Sequence, residues 1–144
     1  MRTAIIGLPL AGKTTLFTIL TGVHEAHRLG ALETRIGVTR VPDPRLDALA
    51  KVFAPERVSP ATLEYIDFPA ISKEALQNPS YLASLRVAEA LAHVVRVFAD
   101  ETVPHEKGSV DPMRDLEDVE TELIISDLMV GKSGWNASTR TERK

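Results

Sequence analysis

The residues best suited to chemistry lie near the start of the chain, where Gly7 to Thr14 reads G-x-x-x-x-G-K-T. The two glycines permit backbone conformations closed to other residues, so successive N–H groups can turn inward around an anion. Lys13 can reach the β- and γ-phosphates of a nucleotide, and the Thr14 hydroxyl can hold Mg²⁺ beside them. The alternative is a glycine-rich turn with a surface lysine. The predicted phosphate-binding set is Gly7, Leu8, Pro9, Leu10, Ala11, Gly12, Lys13, Thr14 and Thr15.

The elements around this motif are the ones it requires. The apolar run Ala4–Ile6 predicts a buried strand, and the apolar spacing from Leu16 to Leu20 predicts a helix that ends near Gly22. A loop between a strand and a helix would place the phosphates at the positive N-terminus of that helix. The motif is therefore predicted to bind a polyphosphate.

Asp67 is the second candidate for the Mg²⁺ site. The alternating segment Ala61–Asp67 predicts a strand, and ligands in open α/β sheets lie at the carboxyl ends of strands. The alternative is a helix or turn cap, because Phe68-Pro69 follows directly. His93, inside a predicted buried strand, is interpreted as a core residue rather than a ligand.

The remaining pattern predicts an α/β fold. Strands separated by helices imply right-handed crossovers in a mostly parallel sheet. The segment Val23–Thr34 lacks periodicity and is predicted to be a loop, either a switch over the phosphates or a plain surface connection. The other predicted elements are a strand at Arg35–Val41, an amphipathic helix from Asp43-Pro44 to Phe53, a helix at Ser80–Ala90, a buried strand at Leu91–Phe98 and a long helix opening at Asp111-Pro112.

Composition restricts the classes of function. With 144 residues, 44% of them hydrophobic and 26% charged, the chain is expected to form one soluble domain without a membrane span. A net charge of -3 argues against a mainly electrostatic nucleic-acid binder. The chain has no cysteine, which excludes disulfides and thiol chemistry, and no leader is recognised, so a cytoplasmic location is expected.

Several stretches together resemble the YchF branch of the Obg-like ATPases, in the P-loop GTPase class related to translation factors. They are GLPLAGKTTLF, IGVTRVPDPRLDALAKVF, PATLEYIDF, HVVRVF and VDPMRDLEDVETELIISDL. The resemblance implies a Ras-like domain over residues 1–130, truncated before the base-reading strands, that binds ATP or GTP with Mg²⁺. It also implies a ribosomal or translation-associated partner. It places His105 where a histidine positions the attacking water; the alternative is a solvated loop histidine.

The chain departs from the family pattern where that pattern supports hydrolysis. Asp67 is followed by Phe68-Pro69-Ala70 instead of the residues of D-x-x-G, so the glycine that would contact the γ-phosphate is missing. Ala31 stands where a threonine would complete the Mg²⁺ shell, and Thr34 lies three residues later. Weak or absent hydrolysis is therefore expected.

The tail at residues 131–144 breaks the helical stripe and matches nothing in the family pattern. One hypothesis is a frameshift, because the codons of this stretch can encode a family-like helix in another frame; an unrelated natural or vector-derived tail is the alternative. Without the later strands, the segment Leu91–Phe98 is expected to leave an uncovered sheet edge that favours self-association.

Three functions are compatible with the sequence. The first is nucleotide binding by a P-loop NTPase fragment that hydrolyses poorly. The second is a catalytically silent remnant or interaction module that acts through a protein or ribosomal partner. The third is a small phosphotransferase, which the family-like long helix argues against.

Overall fold

The computed structural model describes residues 1–24, 34–72, 75 and 78–141. Within these ranges strands and helices alternate, which confirms the α/β fold class. The proposed switch loop, including Ala31, falls largely outside the described residues. In chain order the elements are β1 (Arg2–Ile6), α1 (Lys13–Thr21), β2 (Arg35–Arg40), α2 (Pro44–Phe53), β3 (Thr62–Asp67), α3 (Pro79–Arg86), β4 (Ala90–His93) and α4 (Pro112–Thr141).

The strands form one sheet in the order β2-β3-β1-β4. β1 and β3 are parallel, with Ile5 opposite Asp67, as the sequence predicts. β2 and β3 are antiparallel, with Arg35 opposite Asp67. The connection that contains α2 therefore joins antiparallel neighbours, so the predicted right-handed crossover is wrong for this pair. The register brings the first residue of β2 to the last residue of β3.

The chain divides into two compact units, and the first consists of Met1–Ile6, Lys13–Pro69 and Val87–Ala92. Its core includes Ile5, Ile6 and Phe17, which are almost completely buried. Burial of each such side chain contributes about 1.5–3 kcal/mol, before the entropy of ordering the chain is counted. These residues fix β1 and α1, the two elements that flank the glycine-rich loop in the sequence.

The second unit consists of Gly7–Gly12, Ala70–Arg86 and His93–Lys144. Ile71, Leu85 and Val119 are buried in it, together with Tyr81, whose pKa burial raises to about 12. α3 supplies two of these side chains; the predicted helix at Ser80–Ala90 is confirmed at its start but ends at Arg86, and Ala90 begins β4. The unit therefore has apolar side chains of its own to bury.

The predicted strand at 91–98 is wrong beyond His93, where β4 ends. The cause is Arg96, whose buried guanidinium lies over the Phe98 ring at 4.6 Å. Its N–H groups donate to the carbonyl oxygens of Phe98, Asp100, Val103 and Pro104. Hydrogen bonds from one arginine to four nearby carbonyl oxygens hold this segment in a conformation that does not pair as a strand. Val97 in this segment is 74% exposed. His93 is half-buried, as the last residue of the strand.

The helix α2 begins as the sequence predicts. Asp43 accepts a hydrogen bond from the Arg45 backbone N–H at 3.0 Å, and Pro44 opens the first turn. Ala54, with φ of 40°, ends the helix in the left-handed conformation. The expected buried stripe is wrong, since no residue of α2 is buried and Phe53 is 74% exposed. Among the described residues, α2 leaves its apolar face open.

The long helix α4 starts at Pro112, where the sequence predicts it. It continues to Thr141, so the helical backbone extends past residue 131, where the apolar stripe of the sequence ends. A domain boundary at residue 130 and the origin of the tail stay predictions. None of the helices in the described ranges is long and apolar enough to cross a membrane.

Candidate functional site

The glycine-rich loop has the backbone conformation that the motif predicts. Gly7 and Gly12 have φ of 146° and 100°, and Leu10 also lies in the left-handed region at 57°. A Cβ at Gly7 would come within 2.3 Å of the Val94 carbonyl oxygen, so only glycine fits there. A Cβ at Gly12 would meet nothing within 4 Å, so glycine is favoured there only by the backbone conformation. A non-glycine residue held at positive φ is a common feature of binding loops.

Further hydrogen bonds hold this loop. The Ala11 N–H donates to the Leu8 carbonyl at 3.4 Å, and the Ile71 N–H donates to the Gly7 carbonyl at 3.1 Å. Leu8 and Pro9 are half-buried, whereas Leu10 is exposed. The loop is therefore a built turn rather than a loose connection.

Lys13 is the first residue of α1 and is only 7% exposed. Burial lowers the pKa of its ammonium, and the charge of Asp67 offsets part of that effect. The sequence interpretation of an exposed loop lysine is wrong in this respect. A buried cation at a helix N-terminus gains most from an anionic ligand, because the helix dipole there is positive as well.

Thr14 and Asp67, the two residues predicted to hold Mg²⁺, are brought together. The Thr14 hydroxyl donates to Asp67 Oδ2 at 3.0 Å, and Asp67 is almost completely buried. Thr15, the last residue of the predicted set, points to the surface. A hydroxyl that donates its proton to a carboxylate keeps its lone pairs for a cation. Asp67 accepts from the side chains of Thr14 and Arg35, and neither contact is the bond to a backbone N–H that a cap would make.

Asp67 Oδ1 is buried and has no hydrogen-bond partner among the described residues. A carboxylate oxygen without a donor is costly in a protein interior unless a cation or water satisfies it. Oxygen ligands from a hydroxyl and one carboxylate suit Mg²⁺, which usually keeps several waters and binds phosphate oxygens as well. Within the described ranges, no three histidine, cysteine or acidic side chains are grouped so that they could hold a metal ion together.

Sequence reasoning missed Arg35, which donates from Nη2 to Asp67 Oδ2 at 2.5 Å. Its side chain is 13% exposed and its guanidinium carbon lies 5.1 Å from the centroid of the Phe17 ring. The signal was the position of Arg35 at the start of a strand and Asp67 at the end of another. These positions predict a contact only if the two strands are paired antiparallel.

His105 is held by two partners in the second unit. Its Nδ1 accepts from the Lys107 backbone N–H at 3.1 Å, and its Nε2 lies 2.8 Å from Asp115 Oδ2. With Nδ1 accepting, the neutral ring carries its proton on Nε2 and donates it to Asp115. The side chain is 7% exposed, so it is not the solvated loop histidine of the alternative interpretation.

Asp115 is the centre of this second cluster. Burial alone would raise the pKa of its carboxyl, but hydrogen bonds from Arg114 and His105 and the charge of Arg114 bring it below the ordinary value. Arg114 donates from Nη2 to Asp115 Oδ1 at 2.9 Å. The carboxylate therefore links the first turn of α4 to the loop that contains His105.

Several known proteins are similar to this chain in sequence over most of its length. The "Ribosome-binding ATPase YchF" of Haemophilus influenzae is 42% identical over 135 residues, which covers 88% of this chain and 37% of that protein. The Bacillus subtilis protein of the same name is 34% identical over 135 residues, covering 89% and 37%. The chain belongs to the YchF family.

Structural comparison agrees with the YchF assignment. The solved Schizosaccharomyces pombe YchF GTPase matches with a TM-score of 0.62 and 28% identity, covering 88% of this chain and 36% of that one. No family model matches the chain. The chain spans a little over a third of the length of the YchF relatives that it matches. Family membership supports a nucleotide-binding P-loop NTPase fold.

Proposed function

We propose that this chain binds ATP or GTP through its phosphates together with Mg²⁺, and that its hydrolysis is weak or absent. The observation that carries the proposal is the Thr14–Asp67 hydrogen bond, beside a buried Asp67 oxygen without a donor. The glycine-rich turn with positive φ at Gly7 and Gly12 supplies backbone N–H groups for the phosphates. Lys13 supplies the cation directly after it.

The Mg²⁺ would be held by Thr14 and Asp67, with phosphate oxygens and water completing its shell. When bound, it would neutralise charge on the phosphates. The chain itself contributes orientation, since β3 and α1 fix the two ligands before any nucleotide arrives.

Titration with fluorescent ATP and GTP analogues, with Mg²⁺ and with EDTA, tests this function. We expect saturable binding that Mg²⁺ strengthens, and the ratio of the two affinities would give the base preference. Absence of binding under all conditions would contradict the proposal. Phosphate release followed over hours, on the same samples, measures whether slow hydrolysis accompanies binding.

We assign His105 to any hydrolysis that occurs, as the residue that would position water. In this structure both of its ring nitrogens have partners, so the ring would have to exchange a partner for water. Turnover that is unaffected by His105→Ala would remove this role, whereas lowered turnover with unchanged nucleotide affinity would support it. The missing switch glycine after Asp67 is consistent with a low rate.

An interaction function is the second candidate, and one observation favours it. Apolar side chains on two consecutive elements of the first unit are exposed: Ile36 and Val38 on β2, and Leu49, Val52 and Phe53 on α2. Exposed apolar residues in such numbers are typical of a surface that binds a partner. The relatives are named as ribosome-binding, so a cytoplasmic ribosomal partner is proposed. Co-sedimentation with purified ribosomes, with and without nucleotide, tests it.

A further inference from the structure

We propose that Arg35 is a built-in counter-ion that keeps free divalent cations off Asp67, so that the site accepts the metal mainly when nucleotide phosphates accompany it. This inference rests on the proposed nucleotide site. It concerns a residue that lies outside the sequence motif.

The fold fixes the position of Arg35. The β2–β3 register sets it opposite Asp67, and its guanidinium is stacked over the buried Phe17 ring. Two residues later Gly37 passes so close to α1 that a Cβ there would lie 2.6 Å from the Thr21 methyl carbon. A bulkier residue would push β2 away from α1. Arg35 is therefore positioned by the strand register and by its contact with the Phe17 ring.

The charges around Asp67 decide what the carboxylate can bind. Its Oδ2 accepts from both Thr14 and Arg35, so the Arg35 charge offsets that of the carboxylate, and the Lys13 ammonium also interacts with Asp67. Oδ1 remains open for a cation, but a divalent ion there would meet the repulsion of a guanidinium bonded to the same carboxylate. In a site with little water this repulsion is weakly screened. Free Mg²⁺ is therefore disfavoured.

Nucleotide phosphates change this balance because they bring several negative charges with the metal. They offset the Arg35 cation, and Mg²⁺ bound to phosphate needs less attraction from Asp67. The arginine consequently lowers the affinity for bare metal much more than the affinity for the metal–nucleotide complex. Arg35 is thus a positioning and specificity residue rather than a catalytic one.

The test uses Mn²⁺ as the probe and measures its binding to the full chain by electron paramagnetic resonance, without nucleotide. Arg35→Met removes the charge and keeps an apolar stem over Phe17; Arg35→Gln is a second neutral variant if the first does not fold. Both should bind Mn²⁺ about tenfold more tightly than the unaltered chain. In the unaltered chain Mn²⁺ competes with the Arg35–Asp67 hydrogen bond, and the free energy of one charge-assisted hydrogen bond corresponds to about that factor. Arg35→Lys keeps the charge and should stay close to the unaltered chain.

Arg40→Met is the matched control, because Arg40 is an exposed arginine at the other end of the same strand. Unchanged or weaker Mn²⁺ binding in the neutral Arg35 variants, or an equal gain in Arg40→Met, would overturn the inference. The readout needs no nucleotide, so failure of the fluorescent titrations would contradict the proposed function separately.

Discussion

The Thr14 hydroxyl meets Asp67 at 3.0 Å although 53 positions separate them in the sequence. The contact forms because α1 begins at Lys13 and β3 ends at Asp67, which brings one side chain from each element to the same buried place. Two predicted Mg²⁺ ligands therefore lie together through the fold of the chain itself. Preorganised oxygen ligands lower the cost of ordering the site when the metal arrives.

Replacement of Thr14 by valine should abolish the gain in nucleotide affinity that Mg²⁺ provides, because the methyl group is no ligand. Affinity in EDTA should change little. Thr14→Ser keeps the hydroxyl and should behave like the unaltered chain. The measurement is the ratio of dissociation constants with and without Mg²⁺; an unchanged ratio in Thr14→Val would exclude Thr14 as a ligand.

Lys13→Met should weaken nucleotide binding about 100-fold, since about two charge-assisted hydrogen bonds to phosphate are lost. Methionine keeps the apolar stem, so the buried position stays filled. Lys51→Met on the exposed helix α2 is the control and should leave affinity unchanged. Fluorescence titration decides the matter, and equal affinities for both variants would remove Lys13 from the phosphate site.

Asp67→Asn should destabilise the chain by about 3 kcal/mol, because it removes the buried carboxylate charge that pairs with the largely buried Arg35. Asp47→Asn, at an exposed position in the first turn of α2, should cost far less. Urea unfolding monitored by circular dichroism gives both values, provided that the slopes agree. A cost below that of the control would mean that solvent screens the Arg35–Asp67 pair.

Acid should destabilise the chain through Asp115. The pKa of its carboxyl is lowered in the folded protein, so the unfolded state binds the proton more readily near pH 3.8. The stabilising contribution is complete above the unfolded pKa and disappears as pH falls through the folded one. Melting temperatures between pH 6 and pH 3, roughly the range in which carboxyls titrate, should fall more steeply for the unaltered chain than for Asp115→Asn. Asp127→Asn, on an exposed part of α4, should retain the steep fall.

The edge strand β4 should promote self-association at micromolar concentration, because it stands at one end of the described sheet. Leu91 is an exposed apolar residue of that strand. Leu91→Lys should shift the chain toward monomer in sedimentation velocity, since a charged edge resists pairing. Val97→Lys makes the same change from an apolar to a charged residue outside the strand, and it should leave the distribution of monomers and oligomers unchanged. A monomeric unaltered chain would contradict the prediction.

Local signals in the sequence predicted the glycine-rich loop and the starts of two helices well. The glycines, the Asp43-Pro44 cap and the Asp111-Pro112 start each act through neighbouring residues, so short patterns reveal them. Strand direction was missed because the pairing of β2 with β3 depends on contacts far apart in the sequence. The end of β4 was missed for a similar reason, because a β-branched run favours a strand while one buried arginine reorganises the backbone after it. Thr14 was predicted from the motif and Asp67 from its place at the end of a predicted strand, whereas the contact of Arg35 with Asp67 depends on the strand register.

The two glycines of the loop differ in what would follow from their loss. Any side chain at Gly7 would collide with the main chain at Val94, and main-chain atoms cannot rotate aside as a side chain can. A side chain at Gly12 would meet open space and would pay only for its backbone conformation. Gly7 is thus needed by the architecture whether or not nucleotide is ever bound, whereas Gly12 would be the first to disappear from a lineage that had given up the ligand. The presence of glycine at position 12 is therefore the stronger indication of nucleotide binding.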